Sequence, residues 1–168
     1  PFFNGSQSAR LRHLNANPFG AETLSSQSDS MKYIPDTHQS PVVRTDFSNP
    51  AAWDEISAAI REPVGDFRAY VDFVNDPVYD GISPERLLAL IPHGFTHTFL
   101  FVVDQIALSE PDRPILVIDL YAEPGRTFRV TPSEMWSIEN NLSLANMDFE
   151  EFAEAVDADG IFRGFAAQ

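Results

Sequence analysis

Hydrophobic positions change period several times along this chain, and the changes mark its elements. A short strand covers residues 42–46, beginning at Val42-Val43. Asn49 followed by Pro50 reads as a helix N-cap with proline in the first turn. Trp53, Ile56 and Ile60 then recur on one helix face until Pro63 stops it. Residues 67–74 alternate and are rich in β-formers, which predicts a strand. Ser83-Pro84 opens a second helix carrying Leu87, Leu88 and Ile91, closed by Pro92. Residues 98–103 and 115–120 are continuous apolar runs, as expected of strands covered on both faces. Pro124-Gly125 is a turn signal, and residues 127–130 return as the second arm of a hairpin.

Two helices complete the pattern. Thr131-Pro132-Ser133-Glu134 has the spacing of a capping box, followed by Met135, Ile138, Leu142 and Ala145. Asp148 caps the last helix, with Glu151 three residues on; Phe149, Phe152 and Val156 face inward, and Gly160 ends it. The order β-α-β-α-β-β-β-α-α predicts a three-layer α/β fold. Its sheet is expected to have five strands, mostly parallel, with an antiparallel edge hairpin. The expected core is Trp53, Ile56, Ile60, Tyr70, Leu87, Leu100, Phe101, Val102, Val117, Ile118, Ile138, Leu142, Phe149 and Phe152.

Residues 1–40 show no sustained period and are rich in Ser, Asn, Gln, Pro and Gly. They read as an extended, irregular polar arm, and residues 41–168 as a single domain. Charge sharpens that division. Through Thr45 there are four bases (Arg10, Arg12, Lys32, Arg44) and three acids (Glu22, Asp29, Asp36), a balance of +1. The remainder has seven bases and twenty-two acids, or −15, and the sum is the formal net charge of −14. Such an acidic body repels phosphate backbones and anionic lipid, so neither nucleic acid nor a membrane is expected as partner. The chain has no cysteine, which excludes disulfides, thiolate metal sites and cysteine nucleophiles and fits a reducing compartment. The expected location is the cytoplasm. The alternative is the mitochondrial matrix, because residues 1–21 carry two Arg and no acid.

Candidate chemistry centres on carboxylates. Asp46, Asp104 and Asp119 each end a predicted strand, and ligands bind at the C-terminal strand edge of open parallel sheets. Convergence of the three there would suit Mg²⁺, with Arg44 or Arg129 meeting a phosphate or carboxylate. The competing reading is that Asp at strand ends caps turns and helices. His93 and His97 are four apart but flank Gly94 in a loop, so a shared metal is disfavoured; His97 remains a candidate general base. Asp157-Ala158-Asp159-Gly160 resembles part of a calcium loop, but Ala155 and Ala166 stand where further ligands are required. Asn140, Asn141 and Asn146 are expected to fix backbone between helices, or alternatively to line a binding site. No cofactor is expected.

Two stretches carry a resemblance: Arg44-Thr45-Asp46-Phe47-Ser48 with Trp53, and the run from Trp136 through Asn140-Asn141 and Asn146 to Phe149. With Phe162-Arg163-Gly164-Phe165 they resemble an uncharacterised family of small bacterial and fungal domains of unknown function, over roughly residues 42–165. The resemblance implies an α/β domain and no established activity.

The expectation is a non-catalytic acidic interaction or assembly protein that binds another protein chain, itself included, through arm and body. Phe2, Phe3, Arg10, Arg12, Leu14 and Phe19 are its candidate partner-binding residues, spaced like anchors of an extended segment. The alternative is a small metal-dependent enzyme or phosphate-ligand-binding domain that uses the strand-end acids.

Overall fold

The computed structural model describes residues 32–165. The candidate partner-binding residues Phe2, Phe3, Arg10, Arg12, Leu14 and Phe19 lie outside the described residues. Among the described residues there are six strands and five α-helices: β1 (Ser40–Arg44), α1 (Pro50–Arg61), β2 (Val71–Val74), α2 (Pro84–Ala89), β3 (Phe99–Val103), α3 (Gln105–Ser109), β4 (Ile115–Asp119), β5 (Thr127–Val130), α4 (Met135–Ser143), α5 (Phe149–Glu154) and β6 (Ile161–Phe162). Short 3₁₀ turns precede α2 and α4.

The strands form one sheet in the order β2-β1-β3-β4-β5-β6. β1 runs parallel to both β2 and β3, and β5 parallel to β6; β4 is antiparallel to both its neighbours. Connection length explains the reversal. Only residues 104–114 join β3 to β4, short for the dozen or more residues a parallel crossover uses. The steps from β1 to β2 and from β2 to β3 go opposite ways across the sheet. Right-handed crossovers then require helices on opposite faces.

The packing agrees. Trp53, Ile56 and Ile60 of α1 share one core with Val42, Phe101, Val117, Val130 and the inner faces of α3, α4 and α5. Leu87 and Leu90 of α2 cover the other face over Val43, Leu100, Val102 and Ile118. The fold is therefore a three-layer α/β sandwich.

Four expectations need correction. The sheet has six strands, because Ile161 and Phe162 add a sixth beyond β5, so the hairpin is internal rather than at the edge. The alternating run at residues 67–74 becomes a strand only from Val71. Before it, Val64 and Phe67 close a tight turn, and Tyr70 is 45% exposed rather than in the core. Thr131 makes no capping bond; residues 132–134 form a 3₁₀ turn, and α4 starts at Met135. Residues 32–39, assigned to the arm, pack on the body. Ile34 is fully buried in the second core, its N–H donates to Leu90 O at 2.9 Å, and the Tyr79 hydroxyl donates to Tyr33 O at 2.8 Å.

Candidate functional site

The reversal of β4 decides what the strand-end acids can do together. Parallel strands β1 and β3 put Asp46 and Asp104 at one end of the sheet, beside Asp80 in an open crevice of about 310 Å³. β4 runs the other way, and its last residue, Asp119, pairs with Phe99, the first of β3. His97 precedes β3, so it too belongs to that opposite end. The four candidates thus split two and two, and Asp119 does not meet Asp46 or Asp104. Among the described residues no group of three or more His, Asp or Glu side chains is placed to hold a metal ion.

Each candidate also has local partners. Asp104 accepts the Ala107 N–H at 3.0 Å, capping α3, and binds Arg129 through both oxygens at 3.0 and 2.6 Å. Arg129 in turn donates to Pro114 O at 2.7 Å. Asp46 accepts the Ser48 N–H at 2.7 Å, which turns the chain toward Asn49, whose side chain caps α1 through Ala52 N at 3.1 Å. Asp119, 2% exposed, accepts three successive N–H groups, from Tyr121 at 2.8 Å, Ala122 at 3.3 Å and Glu123 at 2.7 Å, and so shapes the turn into β5. His97 Nε2 lies 2.9 Å from Thr37 O, and the Asp36 carboxylate is 3.7 Å away. Hydrogen bonds from Thr96 hold the Asp36 carboxyl below its ordinary range. Asp157 and Asp159, the residues resembling a calcium loop, both bind Arg163 at 2.8 Å.

The Asn-rich run is built into the other end of the sheet. Asn140 and Asn141 donate to the helix carbonyls of Trp136 and Ser137 at 2.7 and 2.8 Å, and Asn140 also reaches Arg68 O at 3.1 Å. Two of these bonds stay within α4 and the third reaches the loop before β2, so neither amide joins two helices. At Asn146 the chain turn is made by its neighbour instead, since Ala145 takes φ 52°.

Between Asn140 and the core lies a residue that periodicity did not single out. Glu139 is 5% exposed and accepts from Ser40 Oγ at 3.1 Å, Tyr70 N at 3.1 Å and Ser143 Oγ at 2.8 Å. It ties α4 to the starts of β1 and β2. Its signal was available: Glu139 follows Met135 by four, and so stands on the apolar face of the helix.

The same end holds an apolar pocket of about 300 Å³, walled by Phe99, Tyr121, Leu142, Met147 and Phe149 with Asp119 at its base. Tyr121 is 78% exposed, and Leu144, next to the pocket residue Ala145, is 68% exposed.

A three-layer α/β domain with a β2-β1-β3 doubly wound half, a reversed fourth strand and an apolar pocket at the sheet end opposite Asp46 and Asp104 is the class these features define. The chain belongs to the family described as Domain of unknown function (DUF6924), which matches residues 39–165. Comparison with curated proteins finds no match.

Proposed function

We propose that this domain is a non-catalytic, acidic assembly module that binds another protein chain, a second copy of itself in the first instance. The observation that carries this reading is the pair of large apolar side chains, Tyr121 and Leu144, standing in solvent beside an apolar pocket. Exposed apolar side chains grouped around a concave site mark interaction surfaces more often than isolated ones do. The N-terminal arm supplies complementary chemistry for a partner copy: Phe2, Phe3, Leu14 and Phe19 as anchors, and Arg10 and Arg12 as charges attracted to an acidic body. Burying one Phe contributes roughly 1.5–3 kcal/mol, so a few anchors offset the ordering of their neighbours.

Solution mass tests the proposal. Deleting residues 1–30 should lower the oligomer mass while leaving the melting temperature nearly unchanged, and Tyr121→Ser with Leu144→Ser should do the same. A full chain that is monomeric at every concentration, or a truncated chain of unaltered mass, would sink it.

The second reading, a metal-dependent or phosphate-ligand domain, draws support from the crevice that Asp46, Asp80 and Asp104 share. Under the first reading, millimolar Mg²⁺ moves the melting temperature little. A ligand at a hundred times its dissociation constant would stabilise by about 2.7 kcal/mol. No helix among the described residues is long and apolar enough to cross a membrane. The cysteine-free composition supports a reducing compartment, the cytoplasm or the mitochondrial matrix.

A further inference from the structure

Arg44 is the last residue of β1 and is 5% exposed. Its guanidinium lies 4.2 Å from the centre of the Phe47 ring and 4.8 Å from that of Trp53. Burial of this depth ordinarily comes with a carboxylate, because an uncompensated buried charge is costly. Among the described residues, no Asp or Glu forms an ion pair with Arg44. The nearby acids are turned elsewhere: Asp46 takes the Ser48 N–H at 2.7 Å, and Asp80 takes the Phe47 N–H at 3.3 Å.

The guanidinium's own bonds are few. Nε donates to Asp46 O at 2.8 Å and Nη1 to Asn75 Oδ1 at 3.3 Å, while Nη2 is buried with no partner. A guanidinium has five N–H donors, and two are used. The aromatic contacts satisfy its faces and leave one edge, Nη1 with Nη2, held only by the longer amide bond. That edge has the spacing of a fork that receives two oxygens of one oxyanion.

The position in the fold adds to this. Arg44 ends β1 beside β2, the crossovers leaving these two strands run to opposite faces of the sheet, and ligands of open α/β sheets bind at such a switch point. Elsewhere along the same sheet end Arg129 meets its carboxylate, Asp104, in two-oxygen geometry. Arg44 has the same chemistry without the internal partner.

We infer that Arg44 is the recognition residue of a binding site for a small oxyanion, a carboxylate or phosphoryl group. The ligand displaces the Asn75 amide and takes the Nη1–Nη2 edge in plane. The acidic body selects against polyanions, so the ligand is a small molecule rather than nucleic acid. The site is independent of the assembly reading, since it lies at the opposite sheet end from Tyr121.

Asn75 makes the test sharp. The probes are acetate and inorganic phosphate, titrated into the full chain at constant ionic strength against chloride, with Trp53 reporting through fluorescence and through its indole NMR signal. One or both anions should give a saturable change centred on Arg44, Phe47 and Trp53, and the stronger of the two identifies the oxyanion. Asn75→Ala removes the competing acceptor and should tighten binding. Asn75→Asp supplies the missing carboxylate internally and should abolish binding while raising the melting temperature. Arg44→Lys keeps the charge, loses the fork and should weaken binding by about tenfold or more. Equal responses to acetate, phosphate and chloride, or binding that survives Asn75→Asp, would overturn the site. These outcomes do not involve oligomer mass, so they stand or fall separately from the assembly proposal.

Discussion

Single side chains in this domain divide sharply between those that fill space and those that tie backbone together. Phe149 is of the first kind, packed 4.9 Å from Phe128 between the α5 face and β5. Phe149→Ala should cost about 3–5 kcal/mol, read as a large fall in melting temperature. A fall of a degree or two would mean that this face of α5 does not carry the core. Titratable groups give a second expectation, in two opposing parts. Arg163 holds the Asp159 carboxyl below its ordinary range by hydrogen bonding, as Lys32 does for Asp76. A depressed carboxyl contributes stability that is present above its unfolded value, near 3.9, and lost as pH falls through the folded one. Burial pushes Glu134 the other way. Its contribution is present below the unfolded value, near 4.3, and lost as pH rises through the raised folded value. Thermal melts across pH 2.5–7 should therefore show an acid limb, and Glu134→Gln should raise the melting temperature at pH 7 but not at pH 3. A variant less stable than the parent at pH 7 would contradict the sign.

At the scale of elements, periodicity was a good guide where a helix or strand is long enough to repeat. Trp53, Ile56 and Ile60 named the buried face of α1, and the two apolar runs became β3 and β4, buried at every position. What a run of Val, Ile and Leu does not encode is direction, and direction separated Asp119 from Asp46 and Asp104. The placement of Arg44 was legible in outline, because alternation puts it on the same sheet face as Val42, the face that α1 covers. Its missing counter-charge depends on neighbours far along the chain. β6 was illegible, since two residues cannot display a period. Its anchoring comes from outside the strand: Phe162 packs on Phe152 at 5.3 Å, and Arg163 binds Asp112 at 2.7 Å as well as Asp157 and Asp159. The amides of Arg129 and Thr131 donate to Gly160 O and Phe162 O across that edge. Arg163→Gln should speed hydrogen exchange at these two amides and leave those of β3 unchanged. Uniform exchange rates in parent and variant would show that the guanidinium does not hold the edge.

Across the whole molecule, the single reversed strand has a consequence in time. β3, β4 and β5 meet their neighbours across residues 104–114 and 120–126, so their pairing closes short loops. β1 reaches β3 only after residues 45–98 have been gathered between them. Loop closure costs more entropy as the intervening segment lengthens, and pairings close in sequence form earlier. The three-strand meander is then the folding nucleus, onto which the doubly wound half docks late. Stopped-flow kinetics on two fully buried valines would read this out. Val117→Ala, in β4, should mainly slow folding, whereas Val42→Ala, in β1, should mainly accelerate unfolding. The opposite partition would put the nucleus in the parallel half. If the meander does form first, the strand that scattered the acidic residues to opposite ends of the sheet is also the one that lets the chain begin to fold.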